Sequence, residues 1–227
     1  MGRPSLSAET IRNNKVSIIS AAMKMIRENG IQSVSARSLG SQVGMNSALI
    51  YRYFKDIDEV VLFACVHALQ EYNADMTNSF SQFEKTIGPD VSDDEYDEKL
   101  YYLSWELFCS HAFRNPEEYN ILFFSKHSDK LPEIIKEYYE LFPCVTNSEN
   151  DIIIEGMYRT SNLRNRNLIL LIPVLSGRMS EQDIILINDL TVSFFYALLV
   201  QLLGHDQSVT AEAQKERMLK ACNFLLK

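Results

Sequence analysis

The most informative pattern in this chain is the stretch SARSLGSQVGMNSALIYRYFK, residues 35–55. Two short helical patterns stand on either side of Gly44. The second pattern ends in an aromatic cluster formed by Tyr51, Tyr53 and Phe54. This layout is typical of a helix-turn-helix, whose short second helix is held rigidly enough to enter the major groove of DNA. The stretch therefore predicts that the chain binds DNA through this segment.

Residues at the ends of the apolar patterns predict three helices in the first 57 residues. Gly30 ends the first helix, because glycine adopts a left-handed cap conformation without steric cost. Ser35 and Asn46 are suitable N-caps for the second and third helices, and Gly44 makes the turn between them. The predicted helices cover residues 8–29, 36–43 and 47–53.

A fourth, longer helix is predicted to begin at Asp56, with Glu59 at the position that closes a capping box. Five apolar side chains recur along it at spacings of three and four residues, which predicts one continuous buried face. This face is expected to link the first 57 residues to the rest of the chain. The five residues are Leu69, Tyr72, Met76, Phe80 and Phe83.

The remainder is also predicted to be helical, so the fold class is all-α. Eight glycines and six prolines are few for 227 residues, and no segment alternates like a strand. Residues 90–98, DVSDDEYDE, hold six acids and are interpreted as a solvated loop. Helices are predicted over residues 97–114, 117–127, 132–143, 151–162, 168–177, 180–204 and 210–226, with a loop over residues 144–150 and a bend at Pro173.

Charge is distributed unevenly along the chain. The net charge is −8 and the sequence pI is about 5.1, which by themselves argue against a nucleic-acid partner. The head (residues 1–57) holds eight Lys or Arg residues against three acids, a net +5, so the body (residues 58–227) carries −13. A basic head on an acidic body favours DNA binding by the head alone, although chance clustering of surface lysines is the alternative.

One segment has the length of a membrane span, IILINDLTVSFFYALLVQLL at residues 184–203. Its polar residues Asn188, Asp189, Thr191 and Ser193 argue against a membrane, since a carboxylate in mid-bilayer is costly. A helix buried between partners explains the segment better, so no membrane partner is expected.

The four cysteines lie far apart, without a C-x-x-C pair, and no signal peptide opens the chain. This favours a cytoplasmic protein whose cysteines are reduced and mostly buried, with a redox sensor as the alternative. The cysteines are Cys65, Cys109, Cys144 and Cys222.

Residues 18–61 resemble the N-terminal DNA-binding domain of the TetR family of bacterial transcription regulators. The matching residues are Ala21, Ala22, Gly30, Leu39, Gly44, Ile50, Tyr51, Tyr53 and Phe54. The resemblance implies a three-helix helix-turn-helix domain over residues 1–57, joined by a linking helix to an effector-binding and dimerisation domain over residues 58–227. It further implies a ligand-responsive repressor that acts as a homodimer on a palindromic operator of double-stranded DNA.

In that family the third helix lies in the major groove, so the resemblance implies which residues face DNA. Asn46 and Ser47 are suited to base contacts, and Met45 and Ala48 to a thymine methyl group. Asn46 has an alternative role as a helix cap alone, and Arg3 has the alternative of no role. The implied phosphate and minor-groove contacts are Ser35, Arg37, Tyr51, Lys55 and Arg3.

One position departs from the family pattern. Relatives carry a phosphate-binding lysine three residues after the phenylalanine, where this chain has Ile57. Lys55 is the candidate replacement, two residues upstream. The remaining side chains at the turn, Leu39, Val43, Ile50, Tyr53 and Phe54, are expected to pack.

By the same resemblance the body holds a small-molecule pocket among its central helices. Large apolar walls are offered by Tyr102, Trp105, Phe108, Cys109, Phe123 and Phe124, and polar anchors by Glu106, His111 and His127. Plain core packing is the alternative for each of these. The histidines show no metal-binding spacing, so neither a metal nor another cofactor is predicted.

The dimer is expected to form through the last two helices. The helix over residues 180–204 is apolar on too many sides for one that faces water, and pairing with its copy in a four-helix interface would bury the excess. A second interpretation of the chain is a helical dimeric interaction module with a weak or degenerate helix-turn-helix. No phosphate loop, nucleophile elbow or paired-carboxylate motif is present, so an enzyme is not predicted.

Overall fold

A computed structural model describes residues 7–88, 90–143, 162–204 and 206–227 of the chain. Within these ranges it has ten α-helices and no strand, as the all-α prediction requires. Single 3₁₀ turns follow α1, at Ile31–Ser33, and α6, at Ser128–Lys130. The helices are α1 Ala8–Asn29, α2 Ala36–Val43, α3 Ser47–Ile50, α4 Ile57–Thr86, α5 Asp93–Ala112, α6 Pro116–Phe124, α7 Leu131–Leu141, α8 Leu163–Leu175, α9 Glu181–Leu203 and α10 Ala211–Leu225.

The predicted caps of the head are confirmed. The Ser35 hydroxyl accepts the Ser38 backbone N–H at 3.1 Å, and the Ser38 hydroxyl in turn accepts the Ser35 N–H at 2.9 Å. Gly44 adopts the left-handed conformation, with φ 67° and ψ 29°, which turns the chain from α2 toward α3. Local sequence therefore determines where α2 begins and where it ends.

Two predictions at the start of the chain are corrected in detail. The third helix ends at Ile50 rather than at residue 53, because 3₁₀-type turns follow it: the N–H of Arg52 bonds to the Leu49 carbonyl and that of Tyr53 to the Ile50 carbonyl. The Glu59 carboxylate accepts the backbone N–H of Lys55, one residue before the expected partner at Asp56.

The acidic run after α4 is not a loop throughout. α5 begins at Asp93, four residues earlier than predicted, with the Ser92 hydroxyl accepting the N–H of Glu95 at 3.3 Å. Three carboxylates, those of Asp93, Asp94 and Glu95, thus occupy the first turn of the helix. Negative charge is favourable there because the helix dipole is positive at its N-terminus.

The boundaries of the later helices differ from the predictions by a few residues. α6 ends at Phe124 rather than at residue 127, and α8 begins at Leu163 rather than at residue 168, with Pro173 inside it. Several predictions lie outside the described residues. These are the loop over residues 144–150, nearly all of the helix over residues 151–162, and the residues Arg3, Cys144 and His205.

α4 is the central element, and it packs against α1 of the head and against α5, α6 and α7 of the body. Its first turns are enclosed on every side, since all seven residues from Val60 to Val66 are buried. Further along, the predicted stripe is buried at Leu69, Tyr72, Met76 and Phe80, whereas Phe83 is half-buried. The predicted link between the head and the body is therefore a continuous helix with a packed core around it.

The second half of the body packs α5, α8, α9 and α10 together. A buried polar chain runs across three of these helices: the Trp105 indole donates to Asn167 Oδ1 at 3.0 Å, and the Asn167 amide donates to Asn188 Oδ1 at 2.9 Å. Buried polar groups need such partners, and each bond ties one helix to the next. The chain therefore fixes the register of α5, α8 and α9.

α9 is the one described helix that is long and apolar enough to span a membrane by length and composition. Its polar side chains have partners within the protein. The Arg164 guanidinium donates hydrogen bonds to the Asp189 carboxylate at 2.7 Å and to the Ser193 hydroxyl at 3.2 Å. The Thr191 hydroxyl donates to the Ile187 carbonyl at 2.7 Å. These contacts explain why a helix of this composition carries polar residues along its middle.

Three cysteines are described, and all are free and buried, as predicted for them: Cys65, Cys109 and Cys222. Burial raises the pKa of the Cys65 and Cys109 thiols well above the ordinary value, and that of Cys222 to about 12. Their thiols are therefore protonated at neutral pH, which favours a packing role over redox sensing.

Gly40 generates a prediction about the helix-turn-helix. A Cβ at this position would lie 2.7 Å from the Met45 carbonyl oxygen and 3.2 Å from the Ser47 nitrogen, both backbone atoms. We expect Gly40→Ala to destabilise the protein by about 1–3 kcal/mol, since an overpacked core must shift its backbone. Urea denaturation measures this effect.

Gly88→Ala is the matched control, because no atom lies within 4 Å of a Cβ built at Gly88. The control should change the free energy of unfolding by less than about 1 kcal/mol. Equal stability of Gly40→Ala and the wild type would show that α2 and α3 do not pack as closely as described.

Candidate nucleic-acid interface and effector cavity

The helix-turn-helix is built on buried side chains that leave one side of the turn exposed. Leu39 on α2 and Ile50 at the end of α3 are fully buried, and Val43 packs against the same core. Gly40 lets the start of α3 approach the backbone of α2 within contact distance. The four-residue α3 is thus held by packing and a cap rather than by its own length.

Most residues predicted to face DNA are exposed in this arrangement. Met45 is the exception, since it is half-buried and packs against the core of the head. Arg3 lies outside the described residues. The exposed members, which we call the reading set, are Ser35, Arg37, Asn46, Ser47, Ala48, Tyr51 and Lys55.

Asn46 is the N-cap of α3, as one of its two predicted roles requires. Its Oδ1 accepts the backbone N–H of Ala48 at 2.9 Å. A bidentate contact to adenine needs both the oxygen and the amide nitrogen of an asparagine. The cap already engages the oxygen, so the amide N–H₂ is the part of Asn46 that is freest to reach a base.

Tyr53 and Phe54 hold the turn against α1 and α4, as predicted. The Asn14 amide on α1 donates to the Tyr53 hydroxyl at 2.7 Å. Phe54 is buried and meets Phe63 of α4 edge-on, with 5.6 Å between ring centroids. The Lys15 ammonium lies 5.3 Å from the Phe54 ring centroid, a cation–π distance.

Five basic residues of the head fall into two groups. Lys15 pairs with the Glu137 carboxylate on α7, and the Arg12 guanidinium donates to the carbonyls of Glu140 and Leu141 at 3.2 and 3.3 Å. These two cations therefore bind the C-terminal end of α7 in the body, where a helix dipole is negative. They are not available to phosphate in this arrangement.

The second group lies at or beside the turn and is exposed. It consists of Arg37, Arg52 and Lys55, which form no ion pair within the described ranges. Arg52 is absent from the predicted set, although it stands between two of the residues that carry the motif. Its exposure and charge make it a further candidate for a phosphate contact.

Ile57, which replaces the usual lysine, has a structural role at the boundary of the head and the body. It is half-buried and lines a junction cleft of about 310 Å³. The cleft lies between the 3₁₀ turn after α1, the start of α4 and the end of α6. Its lining residues are Ile31, Gln32, Val34, Ile57, Asp58, Val61, Ile121, Ser125, Lys126 and His127.

A second, smaller space, the central cavity, lies inside the body between α4, α5 and α8. Its volume is about 40 Å³, and its wall is mostly aromatic and aliphatic. Of the predicted pocket residues it contains Trp105 and Phe108. The full lining is Tyr72, Ser104, Trp105, Phe108, Leu163, Arg166, Asn167 and Leu170.

The other predicted pocket residues lie elsewhere. Cys109 and Phe123 are buried core, and the Arg166 guanidinium lies 5.1 Å from the Phe123 ring centroid. His111 contacts Asp75 with 2.9 Å between Nε2 and Oδ2. The remaining four are dispersed: Tyr102 and Phe124 are half-buried, Glu106 is exposed, and His127 lines the junction cleft.

Sequence reasoning missed the α8 side of the central cavity. Leu163, Arg166, Asn167 and Leu170 follow one another at helical spacing, yet they lie about 60 residues beyond Trp105 in the chain. Only the folded body brings them together. The one available signal was the run Arg-Asn-Arg-Asn at residues 164–167 near the start of α8, which is unusually polar for a helix with a buried face.

Comparison with known proteins agrees with this architecture. Residues 18–63 match the family described as bacterial regulatory proteins, tetR family. FadR of Thermus thermophilus, a TetR family transcriptional repressor in complex with lauroyl-CoA, superposes with a TM-score of 0.54 at 13% identity, over 92% of this chain and 93% of that chain. A TetR transcriptional regulator from Rhodococcus sp. RHA1 gives a TM-score of 0.47 at 12% identity, over 96% and 97% of the two chains.

No functionally curated protein sequence matches the chain. The family match covers residues 18–57 of the head and the first turns of α4, which is where the helix-turn-helix and its packing residues lie. The structural likeness extends the same fold over the body. The chain therefore has the fold of a TetR family regulator and carries that family's helix-turn-helix domain.

Proposed function

We propose that the chain is a cytoplasmic, ligand-responsive transcription repressor that acts as a homodimer on a roughly palindromic DNA operator. The observation that carries this proposal is the exposed reading set at a turn held by Leu39, Gly44 and Ile50. A rigid, exposed α3 start is what major-groove reading requires. Residues 1–57 form the DNA-binding unit, and residues 58–227 form the effector-binding and dimerisation unit.

Base contacts come from the N-terminal end of α3, where Ser47 and Ala48 are exposed beside the Asn46 amide. Phosphate contacts come from Ser35 and Tyr51, which are exposed at the ends of α2 and α3. The exposed cations Arg37, Arg52 and Lys55 add the electrostatic part of the affinity.

The effector enters the body at the central cavity, next to Trp105 and Asn167. A space of about 40 Å³ is smaller than the roughly 300–1,000 Å³ that small-molecule sites occupy, so binding requires α5 and α8 to separate. The mostly apolar wall favours an effector with a hydrophobic part. Tyr72 of α4 belongs to the same wall, which connects the cavity to the helix that carries the head.

The head can respond because it is tied to the body at defined points. Phe54 of the head packs on Phe63 of α4, and Lys15 of α1 pairs with Glu137 of α7. A shift of α4 would therefore carry the head with it. In a dimer this changes the separation of the two α3 helices and weakens operator binding, provided that the effector prefers the shifted state.

The dimer interface is the exposed apolar side of α9 together with α10. Leu186, Leu190 and Val200 on α9 are 56%, 49% and 44% exposed. Leu190 lies about one helical turn after Leu186, and Val200 lies about four turns after Leu186, so the three share one side of the helix. Phe224 on α10 is 81% exposed. Apolar surface of this extent is costly in water, and a two-fold copy of the same pair of helices would cover it.

Binding to duplex DNA across salt concentrations tests the proposed function. We expect the affinity measured by fluorescence anisotropy to fall steeply as the salt concentration rises. Lys and Arg side chains that bind phosphates release the counterions of the DNA, and this release is less favourable at high salt. Arg37→Ala and Arg52→Ala should each weaken binding to all sequences and reduce the slope of log affinity against log salt by about 1. Lys136→Ala, an exposed cation on α7, is the matched control and should change neither quantity.

Absence of DNA binding even at low salt would overturn the proposal. It would instead favour an interaction module with a degenerate helix-turn-helix.

A series at Asn46 separates its two roles. Asn46→Ser and Asn46→Asp keep an N-cap oxygen, whereas Asn46→Ala removes it and should cost about 1 kcal/mol of stability. We expect Asn46→Ser to keep the stability but lose base preference, and Asn46→Asp to lose DNA binding through charge repulsion. Thermal denaturation and competition between operator variants measure the two effects. Full base preference in Asn46→Ser would mean that Asn46 only caps α3.

The dimer face is tested by placing a charge on it. Leu190→Glu should convert a dimer into a monomer at micromolar concentration, because two carboxylates would be buried opposite each other in the two-fold interface. Size-exclusion chromatography with light scattering gives the mass directly. Ile11→Glu, at a 40% exposed position on α1, is the control and should remain dimeric. A Leu190→Glu variant that stays dimeric would place the interface elsewhere.

A further inference from the structure

Three side chains that bind metals in other proteins converge at the boundary of the head and the body. Asp56 and Asp58 lie at the start of α4, and His127 follows α6. One ligand atom from each lies within 4.8 Å of the other two. The His127 Nε2 atom is 3.4 Å from Asp56 Oδ2 and 3.9 Å from Asp58 Oδ2.

The His127 imidazole nitrogen lies within ion-pair distance of both carboxylates but has no hydrogen-bond partner among the described residues. His127 Nε2 is buried and makes no hydrogen bond with any described residue, although the side chain retains 15% exposure toward the junction cleft. Its separation from Asp56 Oδ2 is close to the roughly 3.3–3.4 Å between two ligands of a tetrahedral zinc ion with bonds near 2.0–2.1 Å.

The two carboxylates have oxygens that can coordinate a metal ion. Asp56 accepts the backbone N–H of Glu59 through Oδ1 at 2.9 Å, so its cap leaves Oδ2 facing the histidine.

The Asp58 carboxylate is paired with Lys126, which competes with any cation at this place. The lysine side chain is 69% exposed, so it can leave the pair for solvent at little cost. The junction cleft of about 310 Å³ adjoins Asp58 and His127 and has room for water molecules in further coordination positions.

Acids at the start of a helix have a simpler explanation, since they cap it and favour its dipole. That explanation covers Asp56 and Asp58, but it does not cover His127. The histidine comes from the turn after α6 and directs its Nε2 atom toward both carboxylates. Two carboxylates and an imidazole suit first-row divalent cations such as Zn²⁺, Mn²⁺ and Co²⁺.

We propose that Asp56, Asp58 and His127 bind a first-row divalent cation, which joins the start of α4 to the segment after α6. The site connects the cap of the linking helix with the body, so occupancy holds the head in the described position. The metal site stands on its own geometry and does not depend on the proposed repressor function.

Titration of the metal-free full chain with Zn²⁺ by calorimetry, and with Co²⁺ by visible absorption, tests this site. We expect one equivalent of metal per chain, with d–d absorption bands from bound Co²⁺. His127→Ala and Asp58→Asn should each weaken Zn²⁺ binding by about tenfold or more. Loss of a group that only hydrogen-bonds a metal ligand already lowers metal affinity by about tenfold, and loss of the ligand itself lowers it further. His111→Ala, which breaks another histidine–aspartate pair, is the matched control and should bind normally.

Lys126→Ala gives a readout that a merely structural cluster would not produce. Removal of the competing ammonium from Asp58 should tighten Zn²⁺ binding severalfold, whereas a cluster without a metal site has no affinity to improve. The absence of stoichiometric Zn²⁺ and Co²⁺ binding would overturn the proposal. Binding that persists unchanged in both His127→Ala and Asp58→Asn would overturn it as well, because the metal would then be held by other residues.

Discussion

The first turns of α4 are buried on every side, and this burial ties the head to the body. Val60 to Val66 are all buried, and α1 of the head packs against the same helix as α6 and α7 of the body. A core packed to this extent does not deform gradually, so the head moves with α4 or not at all. The coupling between DNA and effector that we propose follows from that rigidity.

Some of the basic residues of the head bind the body rather than DNA. The head's net charge of +5 favours DNA binding. Arg12 and Lys15 instead bind the end of α7, which leaves Arg37, Arg52 and Lys55 beside the turn. Part of the positive charge that marks the head in the sequence therefore holds the head to the acidic body, and only the remainder is directed to solvent.

Features that depend on a few neighbouring residues were predictable from sequence. The boundaries of α1 and α2, the turn at Gly44 and the caps at Ser35 and Asn46 follow from local backbone chemistry. Features that depend on packing between residues far apart in the sequence were not predictable. The sides of the central cavity at Trp105 and Asn167 meet only in the folded body.

Errors of prediction have the same physical origin. The acids from Asp93 onward look like a loop until the Ser92 cap and the helix dipole are considered together. His127 looks like a pocket anchor from its aromatic neighbours in sequence, whereas the turn after α6 places it against Asp56 and Asp58. No linear spacing connects these three residues, which is why a search for metal-binding motifs does not find them.

We propose that one dimeric body holds two copies of the DNA-reading head in a fixed relation. This arrangement can be tested by selecting sequences that the full chain binds from a random duplex library. We expect enrichment of an inverted repeat whose half-sites are separated by about one helical turn, roughly 10 base pairs, or a multiple of it. Enrichment of no motif, or of a single half-site without symmetry, would contradict it.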